Sequence, residues 1–331
     1  MKFARETLIF SFAALLPAMW LSAHAAEQKP HTTKKAVVHK KTLKPVKHHV
    51  VASSKHKPAL AHAAVVPEKA SVGDTVGLNH SHDPLALQSN VAYVVDQASS
   101  KVLFEKNPDV SLPIASITKL MTSLVVVEAN QDMNEAIEVT NDDIDKEKGT
   151  GSRLKIGAKL SRADMLHIAL MSSENRAASA LGRNYPGGLT AFVAAMNAKA
   201  KQLGMSETHY VDSSGLSSQN RASAKDLVKL VNAAYQHPVI REYSTDSKYA
   251  VNPGGRALEY ASSNRLVSNP AWEIGLQKTG YISEAGRCLV MQAMIEGRAI
   301  VMVFLDSKGK YSRLADASRI KKWLESTKPN V

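Results

Sequence analysis

With 331 residues and 44% apolar content, the chain can bury one large core or two ordinary ones, which sets aside classes of protein that lack a core. Its net charge of +12 is unevenly placed: ten Lys, no Arg and four acids leave +6 between residues 26 and 85, and +5 is spread over residues 86–331. A lone Cys288 excludes an intramolecular disulfide, and its neighbours Leu289, Val290 and Met291 mark it as a buried strand thiol.

The chain opens with Lys2 and Arg5, an apolar run from Leu8 to Leu21, and Ala23-His24-Ala25, the three parts of a signal peptide over residues 1–25. The run is too short for the roughly 20 residues of a membrane span, so cleavage is expected after Ala25. No second apolar run of spanning length follows, and no wall-sorting signal closes the chain, which points to a periplasmic mature protein. Residues 26–87 are rich in Lys, His, Pro and Ala and contain no Phe, Trp or Tyr, so they are expected to form a disordered basic tail. Eight of the twelve histidines lie there, and the tail gains charge as its compartment acidifies. A solvated spacer is the first reading of such a tail, with adhesion to an anionic wall polymer or membrane surface next and metal buffering by the histidines last. Nucleic acid is not an expected partner, because secretion separates the two and no recognition fold accompanies the charge.

Residues 88–331 read as one folded domain. Strands are expected at Val91–Val95 and Lys101–Glu105, joined as a hairpin around Asp96–Ser100. Ile117–Ala129 is apolar nearly all round, which predicts a buried helix. Ser161 and Asp164 form a capping-box pattern opening a second helix, which should break near Ser172–Asn175, resume, and end at Gly182. Further helices are expected at Leu189–Leu203 and Ala224–Tyr235. Strands then return around Ile274–Thr279, Cys288–Ile295 and Ala299–Leu305, and a closing helix carries Leu314, Ile320, Trp323 and Leu324. Strands at both ends with helices between predict an α/β (α+β) domain: one antiparallel sheet flanked by helices, a helical lobe, and a cleft between them.

Ser-x-x-Lys occurs five times, at Ser54, Ser116, Ser152, Ser307 and Ser318, and context separates them. Only Ser116-Ile-Thr-Lys119 opens a buried apolar helix, where the two side chains share one face a turn apart. The positive helix N-terminus favours negative charge at the serine, and burial lowers the proton affinity of the lysine, so Lys119 can act as a base. Ser173-Glu174-Asn175 follows at the expected helix break, and Lys278-Thr279-Gly280 ends an expected strand, where Gly280 allows close backbone approach by a substrate.

These three motifs in this order form the signature shared by penicillin-binding proteins and class A β-lactamases. Leu112–Met121, Asp212-Ser-Ser-Gly-Leu216 and Gln277–Arg287 resemble the low-molecular-mass D-alanyl-D-alanine peptidases, over roughly residues 88–328. The resemblance implies a β-lactamase/transpeptidase-like fold and an acyl-serine mechanism without metal or organic cofactor. Ser116 would be the nucleophile and Lys119 its base, with an oxyanion hole from the N–H groups of Ser116 and Tyr281. Ser173 and Lys278 would relay the proton to the leaving amine, and Asn175 would hold the substrate backbone. Thr279, with Arg287 or Lys308, would bind the carboxylate beside the scissile bond. The implied substrate is peptidoglycan, with β-lactam antibiotics as covalent inhibitors. The family's carboxypeptidases usually carry an additional C-terminal β-domain and amphipathic helix, for which this chain has no room after its closing helix. The endopeptidase branch, cutting D-Ala–diaminopimelate cross-links, is therefore expected over a carboxypeptidase or a non-turnover sensor. The deacylating Glu of an E-x-x-L-N stretch has no counterpart, which argues against an efficient β-lactamase.

Overall fold

The computed structural model describes residues 70–327. The expected signal peptide and residues 26–69 of the expected tail lie outside the described residues.

A short helix α1 (Val72–Thr75) begins at a capping box in which Ser71 and Asp74 satisfy each other's backbone N–H groups. The expected hairpin follows as β1 (Ser89–Asp96) and β2 (Val102–Lys106). The chain crosses to the helical part through β3 (Leu112–Pro113) and a 3-10 turn at Ala115–Ile117, then enters α2 (Thr118–Glu128). Every residue of α2 from Thr118 to Val126 is buried, as its all-round apolar character requires. Two short strands, β4 (Ala136–Glu138) and β5 (Lys159–Ser161), bracket a long loop. They are followed by α3 (Arg162–Met171), α4 (Asn175–Arg183) and α5 (Gly188–Gln202). Strand β6 (Arg221–Ala222) pairs with β3, and α6 (Ala224–Tyr235) returns towards the sheet. Helix α7 (Pro238–Thr245), with Pro at its first position, and the hairpin β7 (Lys248–Val251)–β8 (Leu258–Ala261) were not separately expected. Strands β9 (Glu273–Ile282), β10 (Gly286–Ile295) and β11 (Arg298–Ser307) then lead to α8 (Ser312–Ser326).

The main sheet has the order β2-β1-β11-β10-β9 and is antiparallel throughout, so the two ends of the domain meet at the β1–β11 pair. Alternation along each strand divides its side chains between two cores. Val91, Tyr93, Val95, Val301 and Val303 join the large core shared with the helices. Ala92, Val94, Met291, Met302 and Phe304 face the other way, onto Leu314, Ala317, Ile320 and Leu324 of α8. With both faces covered, the strands read as nearly continuous apolar runs.

Three expectations are corrected. The folded domain begins ahead of residue 88: Ser71 Oγ donates to Asp306 at 2.7 Å, and Lys106 pairs with Asp83 at 2.9 Å. This segment is held by polar side chains of the domain, which its tail-like composition does not disclose. The capping box at Ser161 is half formed, because Asp164 N donates to Ser161 Oγ while the Asp164 carboxylate accepts from Tyr249 at 2.6 Å. Gly182 does not end α4, which runs on to Arg183. A β-carbon at Gly182 would stand 2.9 Å from Ser213 Oγ, so its smallness serves packing. Cys288 is buried, and burial pushes its thiol up to about 12, which makes it inert as a nucleophile near neutrality.

Candidate active site

The 3-10 turn before α2 is possible because Ala115 adopts a left-handed backbone, with φ 48°. It delivers Ser116 to the start of the helix, half-buried, while Lys119 one turn on is completely enclosed. Lys119 Nζ lies 2.9 Å from Ser116 Oγ, 2.8 Å from Asn175 Oδ1 and 2.6 Å from the Ser214 carbonyl oxygen. Burial pulls its pKa down to about 7, against the opposing charges of Asp212 and Glu174. A neutral amine has two N–H donors and one lone pair. The amide oxygen of Asn175 and the carbonyl of Ser214 can only accept, so they take both donors and leave the lone pair facing the Ser116 hydroxyl. This is the geometry of a general base aimed at its nucleophile.

Each acceptor is itself fixed. Asn175 Nδ2 donates to Thr150 Oγ1 at 3.0 Å, which settles the orientation of the amide. Ser214 lies in the Asp212-Ser-Ser-Gly215 loop, where the Asp212 carboxylate accepts from the backbone N–H groups of Ser214, Gly215 and Ser217. Gly215 has φ 81°, and a β-carbon there would stand 1.9 Å from the Ala115 carbonyl oxygen, so the loop closes onto the turn bearing Ser116 only with glycine.

Strand β9 forms the facing wall. Lys278 is fully buried and donates to the Thr279 carbonyl at 2.9 Å. Burial, together with the charges of Lys119 and Arg313, holds its pKa well below the usual lysine range. A β-carbon at Gly280 would lie 2.8 Å from the Ile114 carbonyl and 3.1 Å from Ser116 N. The close approach that Gly280 permits is thus between β9 and the turn bearing Ser116, not only between β9 and a substrate. Thr279 Oγ1 is 2.6 Å from Ser263 Oγ. Tyr281 is exposed, with the Arg287 guanidinium 4.3 Å from its ring centre. Ser173 occupies the break between α3 and α4 with φ 64°, and none of the hydrogen bonds of the two lysines goes to it. Lys308 is engaged with Asp74 at 2.8 Å. Among the described residues, no group of three or more His, Cys, Asp or Glu is placed to hold a metal ion.

The model of the D-alanyl-D-alanine carboxypeptidase family, peptidase family S11, matches residues 78–309. The chain belongs to this serine peptidase family. It is 46% identical to a D-alanyl-D-alanine endopeptidase of Pseudomonas aeruginosa, over 72% of this chain and 78% of the relative. It is 44% identical to a D-alanyl-D-alanine endopeptidase of Escherichia coli, over 73% and 79%. Among solved structures it resembles penicillin-binding protein D2 of Listeria monocytogenes in its cefotaxime-bound form, with TM-score 0.65 and 28% identity over 73% of this chain and 98% of that one. A Streptomyces K15 DD-transpeptidase mutant aligns with TM-score 0.67 at 24% identity, over 73% and 99%, and shares the fold. The β-lactamase/transpeptidase-like architecture expected from the motifs is the one observed.

Within this family member the sequence motifs left two parts of the site unseen. One is the loop before β5, in which the Asp145 carboxylate accepts from the backbone N–H groups of Glu147, Lys148 and Thr150 and so presents Thr150 to Asn175. The other is Arg313 at the start of α8. It is buried, donates to the Lys310 carbonyl at 3.2 Å, and has an unpartnered Nε. Burial and the neighbouring Arg287 charge lower its pKa, and Arg287 likewise keeps a buried Nε without a partner. Neither guanidinium is in an ion pair among the described residues, so both keep donors that an anion could take.

Proposed function

We propose that this chain is an acyl-serine DD-endopeptidase of the bacterial cell wall that cleaves D-Ala–diaminopimelate cross-links. The observation that carries this reading is the commitment of both N–H donors of Lys119 to Asn175 and Ser214, which leaves its lone pair for Ser116. Ser116 Oγ attacks the D-Ala carbonyl carbon as its proton passes to Lys119 Nζ, a contribution of about 10²–10⁴ in rate. The N–H groups of Ser116 and Tyr281 receive the oxyanion, at about 10²–10³ for one donor. The C–N bond then breaks, and the leaving amine takes the proton from Lys119 with Ser173 and Lys278 as the relay. Water attacks the acyl ester as its proton passes to Lys119, the bond from the acyl carbon to Ser116 Oγ breaks, and Lys119 returns the proton to Ser116 Oγ.

Asn175 orients the substrate backbone. Thr279 holds the carboxylate beside the scissile bond, with Arg287 and Arg313 as the cations in preference to Lys308, which is paired with Asp74. A β-lactam acylates Ser116 at the same place. The relatives named as endopeptidases support the cross-link over the stem terminus as substrate. That substrate implies the periplasm, and no helix among the described residues is long and apolar enough to cross a membrane.

The deciding experiment is chromatography of a cross-linked muropeptide dimer and a pentapeptide monomer after incubation with the mature protein and its Ser116→Ala variant. Dimer converted to monomers by the parent alone is the expected result. Loss of only the terminal D-Ala from the pentapeptide makes the enzyme a carboxypeptidase, and no change in either substrate removes the enzymatic reading.

A further inference from the structure

Residues 153–158 and the β7–β8 hairpin line an open pocket of about 430 Å³. Ile156, Pro253 and Leu258 supply its apolar lining, and Ile156 is 43% exposed. Its lining also carries three cations, Arg153, Lys155 and Arg256. None of them is in an ion pair among the described residues, and the nearby carboxylates of Glu138 and Glu259 face Lys159 and Lys248 instead. Arg153 is held in place: its guanidinium lies 3.9 Å from the Tyr260 ring centre and donates to the Glu259 carbonyl at 2.6 Å.

Hydrogen bonds tie the pocket's loop to residues of the catalytic cleft. Ser152, next to Arg153, donates to Glu174 at 2.7 Å, and Glu174 stands between Ser173 and Asn175. Arg176 donates to the Leu154 carbonyl at 2.6 Å, tying the same loop to α4. Strand β8 runs from Leu258 at the pocket to Ala261, two residues before Ser263, which bonds Thr279. Four residues of strand cover about 13 Å, the reach of about four residues of an extended peptide.

We infer that this pocket is a remote carboxylate subsite of the same active site, which takes the free carboxylates of a wall peptide several residues from the scissile bond. The inference rests on the DD-peptidase reading. A peptide lying along β9 has its reacting carbonyl at Ser116, and its distal part reaches the apolar side chains and unpaired cations of this pocket. Free carboxylates meet those cations there, while the peptide's methylene and methyl groups cover Ile156 and Leu258. The arrangement selects polymeric or cross-linked substrate over a small terminal dipeptide, which has nothing to place in it.

The test uses Lys155→Glu, Arg256→Glu and the double variant of the full mature chain; both side chains are at exposed positions. One measurement is the rate at which labelled penicillin acylates Ser116, and the second is the concentration of cross-linked dimer that halves that rate by competition. A dimer with its stem carboxylates amidated serves as the matched probe. The expected result is unchanged acylation, with the double variant needing about tenfold more carboxylate dimer but the same concentration of amidated dimer. Equal competition by the dimer in parent and double variant overturns the subsite. So does a loss of acylation in the variant that matches the loss of competition, since the change then acts on the whole site. Failure of penicillin to acylate the parent is a different outcome, and it removes the peptidase reading itself.

Discussion

The ammonium of Lys148 lies 2.8 Å from the carboxylate of Glu284, and the two residues stand on opposite sides of the catalytic cleft. Lys148 belongs to the loop that presents Thr150 to Asn175, and Glu284 to the turn between β9 and β10. Both side chains keep about a quarter of their exposure, at 26% and 24%, so the pair is screened and contributes at most about 1 kcal/mol to stability. Its consequence is positional, because it couples the helical wall, through Thr150 and Asn175, to the strand wall. The hydrogen bond from Lys148 also holds the Glu284 carboxyl below its ordinary pKa.

Lys148→Ala is therefore expected to leave the melting temperature within about 3 °C of the parent while lowering kcat on a cross-linked muropeptide several-fold. Glu284→Ala should do the same, and the double variant should be no worse than either single one. Full additivity of the two losses in kcat would show that the pair does not act as one clasp.

The second expectation concerns pH. Only the neutral form of Lys119 has a lone pair for Ser116, and burial sets its pKa at about 7. The second-order rate of penicillin acylation should rise with pH and level off above neutrality, with its midpoint near that value. Lys119→Arg keeps the charge at all accessible pH and should abolish acylation, by at least about 10³. A midpoint near the ordinary lysine value of about 10 would mean that Lys119 is not the base.

A third expectation follows from linkage at Lys278. Its folded pKa lies well below the ordinary lysine value of 10.5, so the folded state binds this proton less readily than the unfolded one. Stability is then greatest above about pH 10.5 and falls as pH drops from there towards the folded pKa, so the penalty is present at pH 7. Lys278→Met removes it, and each kcal/mol recovered should raise Tm by about 2–4 °C in a domain of this size. Activity should fall by at least about 10², and the gain in Tm over the parent should shrink as pH is raised to about 10.5. Scanning calorimetry at pH 7 and pH 10 checks both halves; a variant less stable than the parent at pH 7 would contradict the account.

Much of this was legible in the sequence, for physical reasons. The β1–β2 hairpin and the last three strands announce themselves because both sheet faces are covered, which leaves long apolar runs between polar turns. The buried helix α2 is unmistakable for the same reason, and it singles out Ser116 from four other Ser-x-x-Lys occurrences. What stayed hidden depends on contacts that no local pattern records. Asp145 matters through bonds to its own loop's backbone, and that loop matters because Asn175 is on the far side. Arg313 reads as one charge among many on a polar helix until its burial and its proximity to Arg287 are known. The span from Ser71 to Leu87 resembles the tail in composition, yet it is held by Asp306 and Lys106, far along the chain.

The last expectation separates closeness from flexibility at Gly280. Its backbone is not left-handed, so an alanine there carries no conformational strain, and what it meets is the Ile114 carbonyl at 2.8 Å and Ser116 N at 3.1 Å. Neither is the end of a flexible side chain, so β9 and the turn must move apart by a few tenths of an ångström. Gly151 has an ordinary backbone, and a β-carbon there would meet nothing within 4 Å, which makes Gly151→Ala the matched control. Gly280→Ala should lower the acylation rate by about 10²-fold, because a small displacement of the oxyanion donors from the attacking oxygen is costly. It should lower Tm by only a few degrees, and Gly151→Ala should change neither. Equal acylation by Gly280→Ala and the parent would show that the seating of β9 on the nucleophile's turn has slack to spare, and that the oxyanion hole does not depend on it.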